Sequence, residues 1–133
     1  PDMTDDRYER GLQTLQAIDG GGGQRAIDAL ADIAPDLAHH LIAYGFGDIY
    51  SRPGLEPKQR QLVTIGTLTA LGGCEAQLEV HINTSLRVGL SPAEIVEVLI
   101  QASAYCGFPR ALNAIGVAKQ VFASQGLLPV REG

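Results

Sequence analysis

The sequence predicts an all-α fold of six or seven helices in one domain spanning residues 1–133, and three observations carry that reading. Apolar residues recur at spacings of three and four through most of the chain. Prolines, glycines and capping residues punctuate these periodic runs where helices should start and stop. No segment sustains the apolar/polar alternation, rich in β-branched residues, that a half-buried strand requires. The run LVTIGTL at 62–68 is ambiguous alone, and the helical periodicity on both sides assigns it to a helix.

Each element has its own signals. Thr4 is a cap for the first helix, and Tyr8, Leu12 and Leu15 give it an apolar stripe up to about Ile18. The glycines at 20–23 break the chain, and a short helical turn follows from Gln24 to Ile33. Pro35 suits the first position of a third helix, whose apolar residues Leu37, Leu41, Ile42 and Tyr44 run towards Ile49. SRPGLEP at 51–57 is a turn-rich connection. Pro57 opens a fourth helix through Leu71, ended by Gly72-Gly73. A helix led by Cys74 stops at Gly89. SPAE at 91–94 then supplies a capping Ser, a Pro at the first helical position and an acid at the third. Its helix runs to about Tyr105 with Ile95, Val98, Leu99 and Ala102 on one face. Cys106-Gly107-Phe108-Pro109 breaks it, and a last helix runs from Pro109 to Gln125. Small residues are dense in the later helices, among them Gly66, Ala70, Ala102, Ala111, Ala114 and Ala118, and they permit close helix contacts. Apolar residues on more than one helix face predict self-association.

Composition narrows the function classes. Apolar residues make up 45% and charged residues 19%, as in ordinary globular proteins. A net charge of −5, scattered basic residues and the absence of Trp argue against nucleic-acid binding by phosphate neutralisation or base stacking. No apolar run approaches the roughly 20 residues that span a bilayer, so no membrane partner is expected. The stretch PDMTDDRYERG is acidic and polar, unlike a secretory signal, and the two cysteines read as reduced thiols of a cytoplasmic protein.

The richest stretch for chemistry is GGCEAQLEVH at 72–81. On a helix starting there, Cys74, Gln77, His81 and Ser85 fall within about 80° of one another, and Leu78, Ile82 and Leu86 continue that side into an apolar face. An imidazole at the edge of a core-facing stripe can exchange protons near neutral pH. Cys74 sits where a helix N-terminus would favour a thiolate, yet Gln77 stands where a CxxC would have its second cysteine. Arg52 lies in a rigid turn, and Arg60 shares a stripe with Thr64, Thr67 and Leu71. A fixed guanidinium is a natural partner of a carboxylate. No metal or cofactor site is read. His39 and His40 are adjacent and point about 100° apart. Glu75 and Glu79 form a solvated pair away from His81, and the glycine run matches no phosphate-binding fingerprint.

In order, PDL near 35, YGFGDIYSRPGLEPKQRQLVTIGTLTALGG and EVHINTSLRVGLSPAEIVEVLIQASAYCGFPRALNA resemble the carboxymuconolactone decarboxylase family, over roughly residues 7–125. Within it the chain is similar to the gamma-carboxymuconolactone decarboxylase branch. The related alkylhydroperoxidase-D branch carries a CxxC and a histidine on one helix. Cys74 and His81 match its first Cys and its His, Gln77 replaces its second Cys, and Gln61 stands about where it has a proton-relay Glu.

The resemblance implies an all-helical, alkylhydroperoxidase-D-like subunit assembled as homotrimers or homohexamers. It implies a cofactor-free decarboxylase of a carboxylated unsaturated lactone in aromatic-acid catabolism. In that role His81 and Arg60 are the expected catalytic residues, and Arg52, Tyr50, Cys74, Gln77 and Tyr105 the expected substrate-binding ones. Two other readings follow from the same residues: a thiol-dependent peroxidase or reductase using Cys74, and a non-catalytic assembly module that retains the fold.

Overall fold

A computed structural model of the chain describes residues 5–19 and 21–131. Those residues form seven α-helices and one π-helix, with no strand among them. The all-α expectation is met. The chain divides into two compact units, Pro1–Pro57 and Lys58–Gly133.

The first unit holds α1 (Asp6–Asp19), α2 (Gly22–Leu30), α3 (Pro35–His40) and a π-helix, Leu41–Ile49, that continues α3 without a break. The expected cap Thr4 lies outside the described residues, and Asp5 does that work, accepting the Tyr8 amide at 2.8 Å. The expected third helix changes register at residue 41, where the Tyr50 amide reaches back five residues to the Gly45 carbonyl at 3.0 Å. That register corrects the expected apolar stripe. Leu37, Leu41 and Tyr44 are exposed, whereas Ala38, Ile42, Ala43 and Gly47 are buried. A spacing of four to five residues is what i→i+5 bonding stacks on one side.

Small residues face inward here because α1 crosses the π-helix backbone to backbone. A Cβ built on Gly11 would collide with the Ile42 carbonyl, and one on Gly47 with the Arg7 carbonyl. Only glycine allows this approach. Charges close the crossing: Arg7 grips Asp48 through Nε at 3.0 Å and a second nitrogen at 2.6 Å, and Arg10 Nε donates to the Gly47 carbonyl at 2.6 Å.

The hydrogen bond from Arg7, with its charge and that of Arg10, holds the Asp48 carboxyl below the usual carboxylate range. A depressed carboxylate stabilises the fold above its unfolded value of about 3.9, and that contribution is lost as pH falls through the lower folded value. We therefore expect the melting temperature of the native protein to fall more steeply below about pH 4 than that of Asp48→Asn. Parallel profiles in a pH series of thermal melts would contradict this.

The second unit holds α4 (Pro57–Leu71), α5 (Glu75–Arg87), α6 (Pro92–Cys106) and α7 (Phe108–Ser124). Gly72 and Gly73, both at positive φ near +70°, end α4 and turn the chain into α5 as expected. The expected capping box is present on α6: Ser91 Oγ accepts the Glu94 amide at 3.1 Å, and Glu94 Oε1 accepts the Ser91 amide at 2.9 Å. These bonds hold the Glu94 carboxyl below its ordinary range. The core of this unit is built on Ile65, Ile82, Ile95, Leu99 and Phe122, with Ala114 and Ala118 letting α7 come close.

Candidate active site

α5 presents His81, and the core underneath fixes how it does so. Leu78 and Ile82 on either side of it are buried. One turn on, the fully buried Ser85 donates its hydroxyl to the His81 carbonyl at 2.7 Å. The imidazole itself is half-buried, at the edge of that apolar face, as the sequence predicts.

Its partner comes from α4. Gln61, Ile65 and Thr69 recur every four residues and form the buried line of that helix. The Thr69 hydroxyl is satisfied within the helix by the Ile65 carbonyl at 2.7 Å. Gln61 instead crosses to α5, where its Oε1 lies 3.1 Å from His81 Nδ1. This contact between a buried amide and a titratable ring ties the two helices through the expected site.

The other expected residues are placed unevenly. Arg60 precedes Gln61 on α4 and is half-buried, so a guanidinium and the imidazole's partner occupy consecutive positions. Cys74 is the N-cap of α5, half-buried, with its thiol 3.5 Å from the Gly72 carbonyl. Gln77 is exposed, and Tyr105 is 88% exposed near the end of α6. Cys74 and Cys106 are both free thiols. Tyr50 and Arg52 belong to the first unit. There Tyr50 ends the π-helix stacked on Phe46, with ring centroids 4.9 Å apart, and Arg52 lies exposed in the following turn.

Sequence reasoning did not place two neighbours of this region in the site. Gln61 carried a usable signal, a lone amide on an otherwise core-facing line 61/65/69. Arg110 carried none. Its side chain lies over the α4–α5 turn, where a Cβ on Gly72 would come within 2.7 Å of its Nε. Among the described residues, no three His, Cys, Asp or Glu side chains gather as a metal site would require. The His39 and His40 rings meet edge to face at 5.4 Å, as adjacent helical positions dictate. None of the described helices is long and apolar enough to cross a membrane.

A half-buried imidazole on α5 is a group that can carry a proton. Comparison with known proteins bears on which reaction it serves. The sequence profile of the carboxymuconolactone decarboxylase family matches residues 35–120, which include Arg60, Gln61, Cys74 and His81. The chain is 32% identical over 124 residues to 4-carboxymuconolactone decarboxylase of Acinetobacter baylyi, covering 92% of each. It is 34% identical over 82 residues to a nitrosuccinic acid decarboxylase of Metarhizium robertsii, covering 60% of this chain and 55% of that one. An uncharacterized 15.0 kDa protein of Paracoccus denitrificans is 32% identical over 98 residues, 73% of each chain.

Proposed function

Because the chain belongs to the carboxymuconolactone decarboxylase family, we propose that it is a carboxy-lyase for small acids that carry their own electron sink, with a 4-carboxymuconolactone-like lactone as its substrate. His81 carries this reading: a half-buried imidazole, anchored through one nitrogen, in the segment that the family profile matches.

The chemistry needs little from the protein. In a butenolide bearing a carboxylate on its γ carbon, the bond to the carboxylate breaks and CO₂ departs. The electron pair moves through the ring double bond into the lactone carbonyl, whose oxygen becomes an oxyanion. A proton from the His81 imidazolium then bonds to the carbon next to that carbonyl. The carbonyl re-forms, and the enol-lactone is released. Water returns the proton to His81, so each turnover consumes one proton and releases one CO₂.

The nitrosuccinic acid relative supports the wider substrate class, because a nitro group accepts an electron pair as a lactone carbonyl does. In both reactions negative charge grows on oxygen as CO₂ leaves. Arg60 supplies the cation for that charge. It must favour the oxyanion over the departing carboxylate, since tighter ground-state binding would slow the step. Assembly as a homotrimer or homohexamer belongs to this proposal, and the exposed Tyr105, Phe108 and Leu112 support it.

The test is incubation of the protein with 4-carboxymuconolactone in the presence of a chelator, followed by NMR. The expected result is enol-lactone and CO₂ in equal amounts. Unchanged lactone would overturn the reading.

A further inference from the structure

We infer that Arg110 is a specificity-determining residue of this site: its guanidinium, laid over the α4–α5 turn, takes the carboxylate that the substrate keeps. The identity of that substrate rests on the proposed decarboxylation, whereas the place of the cation does not.

The argument starts from how α7 brings Arg110 to the start of α5. Ala114 and Ala118 of α7 share one core with Leu78 and Ile82 of α5. Just past the end of α7, Gln125 Nε2 donates to Asn83 Oδ1 of α5 at 2.8 Å. Near the beginning of α7, Arg110 lies over Gly72. A Cβ on that glycine would come within 2.7 Å of Arg110 Nε, 3.3 Å of its Cδ and 3.5 Å of its Cγ. The stem is therefore laid along the turn, in a space that only a residue without a side chain leaves open. Gly72 is glycine for two reasons, its φ of +72° and this seat.

The stem is seated, and the charge is left available. Arg110 is exposed and makes no hydrogen bond or ion pair with any described residue, Glu75 at the start of α5 included. The Cys74 thiol rests 3.5 Å from the carbonyl of the same Gly72. Cys74, Gln77 and His81 fall on one side of α5. A guanidinium over Gly72 thus marks the start of a line on which His81 stands seven residues past Cys74, roughly 10 Å along the helix.

The substrates of the proposed class are dicarboxylates. Nitrosuccinate and 4-carboxymuconolactone each lose one carboxylate and keep the other. The two groups need opposite treatment. A cation that grips the departing carboxylate stabilises the ground state and slows the loss of CO₂. The retained carboxylate is the same in ground and transition states, so gripping it tightens binding without slowing the step. A guanidinium set back from the imidazole suits the retained group.

The test compares two lactones on the full chain. 4-Carboxymuconolactone carries its retained carboxylate on a CH₂ arm. Arg110→Met should raise its KM about tenfold, with kcat within about threefold. For the analogue with a methyl group in place of that arm, KM should agree between native and variant within about twofold. A purely structural role would weaken both alike. A third lactone keeps the arm and has hydrogen in place of the γ-carboxylate, so it has no CO₂ to lose by this route. In calorimetry Arg110→Met should bind it about tenfold more weakly than the native chain does.

Equal losses on the first two lactones, an unmoved KM for the diacid or an unmoved affinity for the inert lactone would overturn the inference. Circular dichroism checks the fold, and Arg110→Gln enters the same comparison if Arg110→Met does not fold. If the variant loses affinity for the inert lactone but neither protein releases CO₂, the decarboxylase reading fails and the Arg110 contact stands.

Discussion

Replacing His81 with alanine should lower lactone turnover by about 10²-fold or more while leaving helicity and assembly unchanged. General acid catalysis by a positioned side chain contributes on that order, and no other imidazole lies on α5. The fold should tolerate the change. His81 is half-buried at the rim of the core, and Leu78 and Ile82 beside it do the packing. The variant does leave Gln61 Oε1 without its partner, a cost of about 1–3 kcal/mol. Circular dichroism and a sizing measurement separate that cost from the catalytic loss. Unchanged turnover would remove His81 from the mechanism.

Phe122→Ala should destabilise the second unit by about 3–5 kcal/mol. Phe122 is 1% exposed and sits in the core with Ile82, Ile95 and Leu99, so truncation leaves a cavity among α5, α6 and α7. For a chain of this length the melting temperature should fall by about 10 °C or more. Lys119→Ala, on the exposed face of the same helix, should shift stability by no more than about 0.5 kcal/mol. The comparison matters for the site because Ile82, next to His81, packs in that core. A Phe122→Ala melt indistinguishable from that of Lys119→Ala would contradict the packing described for this unit.

Sequence pattern reveals what is local. The Ser91–Glu94 capping box, the Gly72-Gly73 stop and the inward face of α6 at Ile95 and Leu99 are each written within a few residues, and each is found where expected. The π-helix at 41–49 was not legible, because its register depends on partners distant in sequence. Gly47 is pressed against the Arg7 carbonyl and Gly11 against the Ile42 carbonyl, and neither contact has a local signature. Leu37, Leu41 and Tyr44 consequently read as a core stripe and lie exposed instead.

The site divides along the same line. His81 was visible from its place on an amphipathic helix, and Cys74 from its place at that helix's start. In the sequence Gln61 stands out by where it falls in the family pattern. Its bond to a ring 20 residues away required α4 and α5 to be set side by side. Arg110 reaches the α4–α5 turn from α7, a third helix, and nothing in its sequence neighbourhood points there.

The central claim is that a fixed imidazole, with no helper molecule, returns one proton to carbon as CO₂ leaves. Turnover of 4-carboxymuconolactone in D₂O, with the product resolved by NMR, tests it most directly. One deuterium on a single face of the carbon beside the lactone carbonyl is the predicted outcome, since a held acid delivers from one side. Deuterium spread equally over both faces would contradict it, because the proton would then come from free solvent rather than from His81.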